Sequence, residues 1–279
     1  MEVRRCRNAD EFLERAGDFL AAREAEHNLI LGLAGRLREH PFTYGGEPPY
    51  FAVAEDNGRV AAVAMRTPPH NLILSEVDDA GALDALADDV RATFSELPGV
   101  LGPTAVAERF VSLWGVPGER RVAQRAHRAK SVTRPEGVQG RMRDYEDTDR
   151  ELILRWLDEF VAEALPDGSP ESAESALQSR VADPDGGFVI WEDGEPVSFA
   201  GYGSPTPNGI RVGPVYTPPD LRRRGYATAL TADLTKRLLE GGRRFCFLFT
   251  DLANPTSNNI YYAVGYRPVT DVDMWAFTK

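Results

Sequence analysis

Near the start of the chain the hydrophobic positions recur at helical spacing. Between Asp10 and Ala25, Phe12, Leu13, Ala16, Phe19 and Leu20 fall on one face and predict an amphipathic helix, followed by a second over Asn28–Arg38. Beyond the loop PFTYGGEPPY the period shortens. Phe51–Ala54 and Val60–Met65 read as strands joined at Asp56-Asn57-Gly58, a hairpin signal because Asn-Gly accepts the positive φ of a tight turn. A strand over Asn71–Val77, an amphipathic helix over Ala80–Leu97, a short strand at Val100–Gly102 and a helix over Thr104–Trp114 follow. Arg121–Val132 alternates weakly and reads as an edge strand. Thr133–Gly140, with a proline, two glycines and few apolar groups, reads as a linker.

The second half repeats this order. Thr148–Leu165 is amphipathic, with Leu152, Trp156, Leu157, Phe160 and Val161 on one face. The polar stretch PDGSPES separates it from a helix over Ser172–Ala182. Gly187–Trp191 and Glu195–Tyr202 form a hairpin about Glu192-Asp193-Gly194, echoing the earlier turn. Ile210–Thr217 is a strand, Tyr226–Glu240 a helix, Arg244–Thr250 a buried strand, Ser257–Val264 a helix and Tyr266–Phe277 extended. A unit of helix, helix, hairpin, strand, helix, strand, helix, strand thus occurs twice at a spacing of about 140 residues, the signature of a duplicated α/β domain.

Composition narrows the function classes. The chain has 279 residues, which favours two domains, and the pattern places them at 1–134 and 135–279. A formal net charge of −11 argues against non-specific contact with nucleic acid or an anionic membrane. No apolar run reaches the roughly 20 residues of a membrane span, and the charged MEVRRCRNADEFLERAG lacks a signal-peptide core, so a cytoplasmic setting is expected. Cys6 and Cys246 lie far apart and read as free thiols, Cys246 within the apolar run FCFLF. The four histidines, His27, His40, His70 and His127, show no ligand spacing, so no metal site is expected.

Against this acidic background, Pro218–Leu230 (PPDLRRRGYATAL) sets Arg222, Arg223, Arg224 and Gly225 before a helix. A helix start offers unpaired amides and a positive dipole end; a glycine allows close approach to the main chain, and guanidinium groups add bidentate donors. Such a loop suits a diphosphate, although an arginine-rich helix start is also a common solvated turn. A second dense signal is Asn254–Tyr266 (NPTSNNIYYAVGY). Asn254-Pro255 stops the strand, Ser257 is placed to cap the next helix, Asn258 and Tyr261 lie three apart on its first turn, and Gly265 ends it. By itself this is also what a capped amphipathic helix looks like.

Taken together, Arg222-Arg223-Arg224-Gly225-Tyr226-Ala227 and the Asn254–Tyr261 helix with Gly265-Tyr266 resemble the Gln/Arg-x-x-Gly-x-Gly/Ala loop and downstream Asn-to-Tyr helix of the GNAT superfamily of N-acetyltransferases. The resemblance runs from Gly187 onward. It implies two tandem GNAT-like domains of α/β class with a mixed α+β sheet, and acetyl-coenzyme A (acetyl-CoA) as cosubstrate. It further implies that Val215, Tyr216 and Thr217 pair with the pantetheine arm, that amides from Arg223 to Thr228 hold the pyrophosphate, and that Asn254 or Asn258 contacts the cofactor beyond it. An amine, on a small molecule or a peptide, would attack the thioester directly, with a backbone N–H near Val215 on the oxyanion and Tyr261 as general acid for the thiolate. The base is open. Phe249 stands where some relatives carry a glutamate; Asp251 is two residues on and shares its face, Glu163 is a remoter choice, and a water chain or an already neutral amine would need neither.

The first half lacks both motifs. Its counterpart of the arginine loop is Glu76-Val77-Asp78-Asp79-Ala80-Gly81, acidic where the other is basic, and Gly102–Trp114 has no Asn-to-Tyr pattern. A degenerate copy that helps wall the acceptor cleft is the expectation. Acceptor contacts are expected from Asp158–Ser172 and Ser204–Gly209. The C-terminal strand, Val272–Phe277, is placed to pair across a homodimer or between the halves. The rival of another class is a non-catalytic coenzyme A-binding module, which Phe249 favours and Tyr261 opposes.

Overall fold

The computed structural model describes residues 1–41, 43, 46–164 and 171–278. Its first half runs β1 (Glu2–Cys6), α1 (Ala9–Ala22), α2 (Asn28–Glu39), β2 (Tyr50–Asp56), β3 (Arg59–Arg66), β4 (Leu72–Leu74), α3 (Ala80–Thr93), β5 (Gly99–Pro103), α4 (Thr104–Trp114) and β6 (Gly118–Ala129). The second half runs β7 (Arg141–Asp144), α5 (Arg150–Ala164), α6 (Ala173–Val181), β8 (Gly187–Asp193), β9 (Glu195–Gly203), β10 (Gly209–Tyr216), α7 (Tyr226–Glu240), β11 (Phe245–Asp251), α8 (Pro255–Val264) and β12 (Arg267–Phe277). The repeat is therefore real, and each copy gains a leading strand, β1 or β7, that periodicity missed. Both are short and mostly polar, and pairing with the next hairpin makes them strands: β1 with β2, β7 with β8. Part of the PDGSPES stretch, residues 166–170, lies outside the described residues.

The chain divides into two compact units: Met1–Ala126 with Phe249–Ala253 and Pro268–Lys279, and His127–Leu248 with Asn254–Arg267. This differs from a single cut at residue 134. The second unit begins eight residues earlier in sequence, and two later segments return to the first. Within the first unit, β12 pairs antiparallel with β5, from Val272 opposite Pro103 to Ala276 opposite Gly99. The C-terminal strand is thus occupied inside the chain rather than offered across a dimer. Strand β6 is not an edge in this unit either. Asp271 takes a two-pronged bond from Arg125 (2.6 and 2.8 Å), Arg120 reaches Asp273 (3.4 Å), and on the other side the Leu252 N–H donates to Ala123 O (3.0 Å).

Side-chain alternation assigns each strand face its helices. In the first unit, Phe51, Val53, Val63 and Met65 pack with α1 and α2, while Tyr50, Ala52, Ala54, Ala62 and Ala64 pack with α3 and α4. In the second, Phe188, Ile190 and Phe199 face α5 and α6, while Val189, Trp191 and Ala200 face α7. Cys6 and Cys246 are free buried thiols, pushed up to about 11 and about 12 by burial. The segment read as a linker is pinned in the second unit. Arg134 chelates Asp233 (2.7 and 3.1 Å), the Thr133 N–H donates to Val264 O (2.8 Å), and Gln139 O accepts from Trp191 Nε1 (2.8 Å). Its proline and glycines reflect an irregular path under load, not freedom.

His27 gives the first unit an acid-sensitive joint. Its buried ring donates from Nδ1 to Leu20 O (3.1 Å) and accepts the Glu76 N–H at Nε2 (3.1 Å), a pairing only the neutral imidazole makes. Burial lowers its pKa from 6.5 to about 4. The unfolded chain protonates first as pH falls, so this contribution is complete above 6.5 and is lost on descent towards 4, about 3 kcal/mol in all. Denaturant titrations from pH 7 down to pH ~4.5 should show a steeper loss in the wild type than in His27→Gln. Parallel slopes would dismiss the joint.

Candidate active site

The second unit contains the arginine loop, the strand before it and the helix carrying Tyr261. Strand β10 runs parallel to β11 through Gly209–Arg211 against Phe245–Phe247. Past Arg211, β10 has no strand neighbour on that side among the described residues. On the other side it pairs with β9, Val212 opposite Tyr202 and Val215 opposite Ala200. Three steps along β10 thus match two along β9, which is one inserted residue, a β-bulge. The core records the same shift: Ile210, Val212 and then Val215 pack with α7, and Tyr216 packs with α5. Pro214 has no N–H, so the amides of the bulge belong to Gly213 and Val215.

Hydroxyl groups fix the end of this strand. Ser198 Oγ donates to Tyr216 O (2.8 Å) and receives the Thr217 hydroxyl (2.8 Å), both residues being buried. The Tyr216 phenol donates to Glu159 Oε2 (3.0 Å), and burial, then Glu159, pushes it up to about 12. The side chains of Tyr216 and Thr217 are therefore used internally. What they offer a ligand is main chain.

The loop that follows makes one 3-10 turn at Pro219–Leu221 and then takes two left-handed residues, Arg223 (φ 64°) and Gly225 (φ 85°, ψ 0°). The first α7 bond runs from the Ala229 N–H to Gly225 O (2.9 Å), so the amides of Tyr226, Ala227 and Thr228 have no intrahelical acceptor. No side chain caps this end among the described residues. A left-handed glycine followed by a helical residue turns successive N–H groups towards one point, a nest for an anion. Arg223 and Arg224 are exposed beside it.

Two readings of this loop change. Gly225 is required chiefly for its backbone angle and for the fit of Val138, whose Cγ2 would lie 2.9 Å from an added Cβ; the space a ligand would enter is elsewhere. Arg222 does not extend into solvent as a free cation. Its Nε donates to Thr217 O (2.8 Å), its Nη2 to Glu163 Oε2 (2.6 Å), and its guanidinium lies 5.6 Å from the Tyr216 ring, so it ties the loop to α5. Tyr226 likewise turns inward, its hydroxyl donating to Asp193 Oδ2 (2.6 Å). Glu163, held by Arg222, is a strut.

Helix α8 begins at Pro255, and Asn254, not Ser257, is its cap: Asn254 Oδ1 accepts the Ser257 N–H (3.1 Å), and Asn258 Nδ2 donates to Asn254 O (2.9 Å). Gly265 closes it at φ 120°, where a Cβ would strike Ser131 O at 2.6 Å. Tyr261 packs on the α7 cluster, its ring edge-on to Tyr266 with centroids 6.0 Å apart. The phenol is half-buried, desolvation pushes it up to about 12, and its hydroxyl has no partner among the described residues. Asp251, at the end of β11, lies in the first unit, exposed, with Oδ1 accepting the Ala253 N–H (2.7 Å).

An open cleft of about 530 Å³ adjoins the loop, lined by Glu159, Glu163, Tyr216 and Asp220 among others. The expected acceptor stretch Asp158–Ser172 contributes through α5; residues 165–170 of it lie outside the described residues. Among the described residues no group of His, Cys, Asp or Glu is gathered to hold a metal ion, and no helix is long and apolar enough to cross a membrane. Sequence reading missed Ser198, Asp193 and Val138, whose partners lie 18 to 87 residues away and carry no local pattern.

Residues 150–266 match the model of the acetyltransferase (GNAT) family. None of the curated proteins matches the chain. Among solved structures, a Drosophila protein is similar over 99% of this chain and 98% of its own, at 14% identity and a TM-score of 0.70. A tandem GNAT protein from the clavulanic acid biosynthesis pathway is similar over 98% of each chain, at 12% identity and a TM-score of 0.59. A GCN5-related N-acetyltransferase from Kribbella flavida covers 78% of this chain and 87% of its own, at 17% identity and a TM-score of 0.57. At such identities the likeness is one of fold.

Proposed function

We propose that this chain, whose residues 150–266 match the GNAT family model and whose fold is similar to that of a tandem GNAT protein, transfers acetyl from acetyl-CoA to a primary amine. The observation that carries the reading is the start of α7: three amides without intrahelical acceptors, turned by a left-handed Gly225, with Arg223 and Arg224 beside them. A diphosphate answers each of these at once. The bland alternative, a solvated turn, gives no electrostatic reason for two exposed guanidinium groups beside three open amides.

When bound, acetyl-CoA supplies an activated thioester. The chain's own residues do the rest. The amides from Tyr226 to Thr228 and the two exposed arginines hold the pyrophosphate. The unpaired side of β10 from Val212 to Tyr216 orients the pantetheine arm, and the Val215 N–H faces the developing oxyanion. Tyr261 holds the proton destined for the sulfur. Asn254, which caps α8, and Asn258, which bonds back to Asn254 O, set that helix and so the direction of the phenol. The acidic cleft suits an acceptor that arrives as a cation, on a small molecule or a peptide. Free thiols and an acidic chain accord with a cytoplasmic enzyme that has no nucleic-acid or membrane partner.

Calorimetric titration with acetyl-CoA, followed by an amine panel read by release of free thiol, tests this reading. Heat of binding and amine-dependent thiol are expected. No binding would remove both transfer and the non-catalytic alternative, while binding without turnover on any amine would leave only the latter. Asp251 is proposed as the base. Asp251→Asn is expected to lower kcat about tenfold or more on an accepted amine; unchanged turnover dismisses it.

A further inference from the structure

The bulge of β10 is held from outside its own sheet. Arg180, on α6, donates from Nη1 to Gly213 O (2.8 Å), with its guanidinium 5.5 Å from the Phe188 ring. Room for this bond exists only because residue 201 on β9 is glycine: a Cβ there would lie 2.9 Å from Gly213 O and 3.2 Å from Arg180 Nη1. Gly213 itself has φ 137°, a conformation that side chains rarely adopt. A part-buried arginine, an aromatic platform, a cleared lane and a glycine in an unusual conformation therefore converge on one carbonyl.

That carbonyl lies one proline upstream of the Val215 amide. A bulge has lost ladder bonds on its inserted residue, so the orientation of its peptide planes is set by whatever else grips them. The ring of Pro214 fixes its own φ, and the bond from Arg180 fixes the plane before it, so a single torsion, ψ of Pro214, separates that anchored plane from the Val215 N–H. We propose that Arg180 is a positioning residue for acetyl transfer, locking the bulge so that the Val215 amide points at the reacting carbonyl. The assignment rests on the acetyl-transfer reading above. Arg180 touches neither substrate nor the reacting atoms.

The test compares Arg180→Met, which keeps the stem and loses the donors, with Arg180→Lys in the full chain. With acetyl-CoA and an accepted amine, Arg180→Met is expected to lose about ten- to a hundredfold in kcat, the scale of a misplaced oxyanion donor, with KM for acetyl-CoA within about twofold. Arg180→Lys should recover part of the loss. The NMR order parameter of the Val215 N–H should fall from about 0.85, the rigid-backbone level, towards about 0.6 in Arg180→Met while the interior of α7 stays rigid. Should Arg180→Met fail to fold, Gly201→Ala, which forces the same contact apart, carries the same expectations. Unchanged kcat and an unchanged Val215 order parameter in a folded variant, or a loss borne wholly by KM, overturns the proposal. If the wild type turns over no amine, acetyl transfer falls by that result, and the Val215 order parameter still decides whether Arg180 holds the bulge.

Discussion

Tyr261→Phe is expected to lower turnover tenfold or more, the range of general acid catalysis, while leaving the thermal midpoint and the affinity for acetyl-CoA unchanged. The substitution removes one oxygen and keeps the ring that packs on α7 and meets Tyr266 edge-on. Because that hydroxyl bonds to no group among the described residues, its loss leaves no abandoned partner and should cost the fold little. Burial pushes the phenol up to about 12, so it stays protonated throughout the neutral range and contributes no limb to the pH-rate profile below about pH 11. Its proton is held more tightly than that of a free thiol, about 8.5. In the proposed role Tyr261 would therefore act by sharing the proton with sulfur as the carbon–sulfur bond breaks. Steady-state rates beside a melting curve decide the matter: kcat within twofold of the wild type removes the role.

Gly225→Ala should damage both the fold and cofactor binding. A left-handed conformation costs an ordinary residue roughly 1–2 kcal/mol, and the added Cβ meets Val138 Cγ2 at 2.9 Å, so the start of α7 must rotate or Val138 must yield. Either movement turns the amides of Tyr226, Ala227 and Thr228 away from their common point. Acetyl-CoA affinity is expected to fall about tenfold or more, since charge-assisted bonds of this kind contribute about 1.5–3 kcal/mol each. Val138→Ala in the same chain separates the two causes. It should recover the packing part and leave the backbone part, a coupling that a double-mutant cycle by denaturant unfolding and calorimetry measures. Wild-type stability and affinity in Gly225→Ala would show that neither the angle nor the contact matters.

The duplicated order of elements, the two Asn-Gly and Asp-Gly hairpins, helices such as Thr104–Trp114 and Tyr226–Glu240, and the arginine and Asn-to-Tyr motifs were all legible along the chain, because each is specified by residues within a turn or two of one another. Local sequence also marked Gly225, though for the approach of a phosphate to the main chain rather than for its left-handed angle and the fit of Val138. It misjudged what surrounds the loop. Arg222 reads as a ligand cation and is a tether to Glu163; Thr133–Gly140 reads as a linker and supports Gly225 through Val138; Ser257 reads as a cap and Asn254 takes that place. The leading strands β1 and β7 were invisible because pairing, rather than propensity, makes them strands.

The sequence by itself thus determined the repeat, the α/β class and the arginine- and glycine-bearing loop, all consequences of short-range periodicity and backbone preference. Only the tertiary structure decided that β10 carries a bulge gripped by Arg180, that β12 pairs with β5, and that the Tyr261 phenol is half-buried with no partner among the described residues. Those are properties of side chains and strands that meet across tens to hundreds of residues. Which of the many chemically adequate partners a guanidinium, a strand edge or a phenol finally meets is set by packing, and packing leaves no period in the sequence.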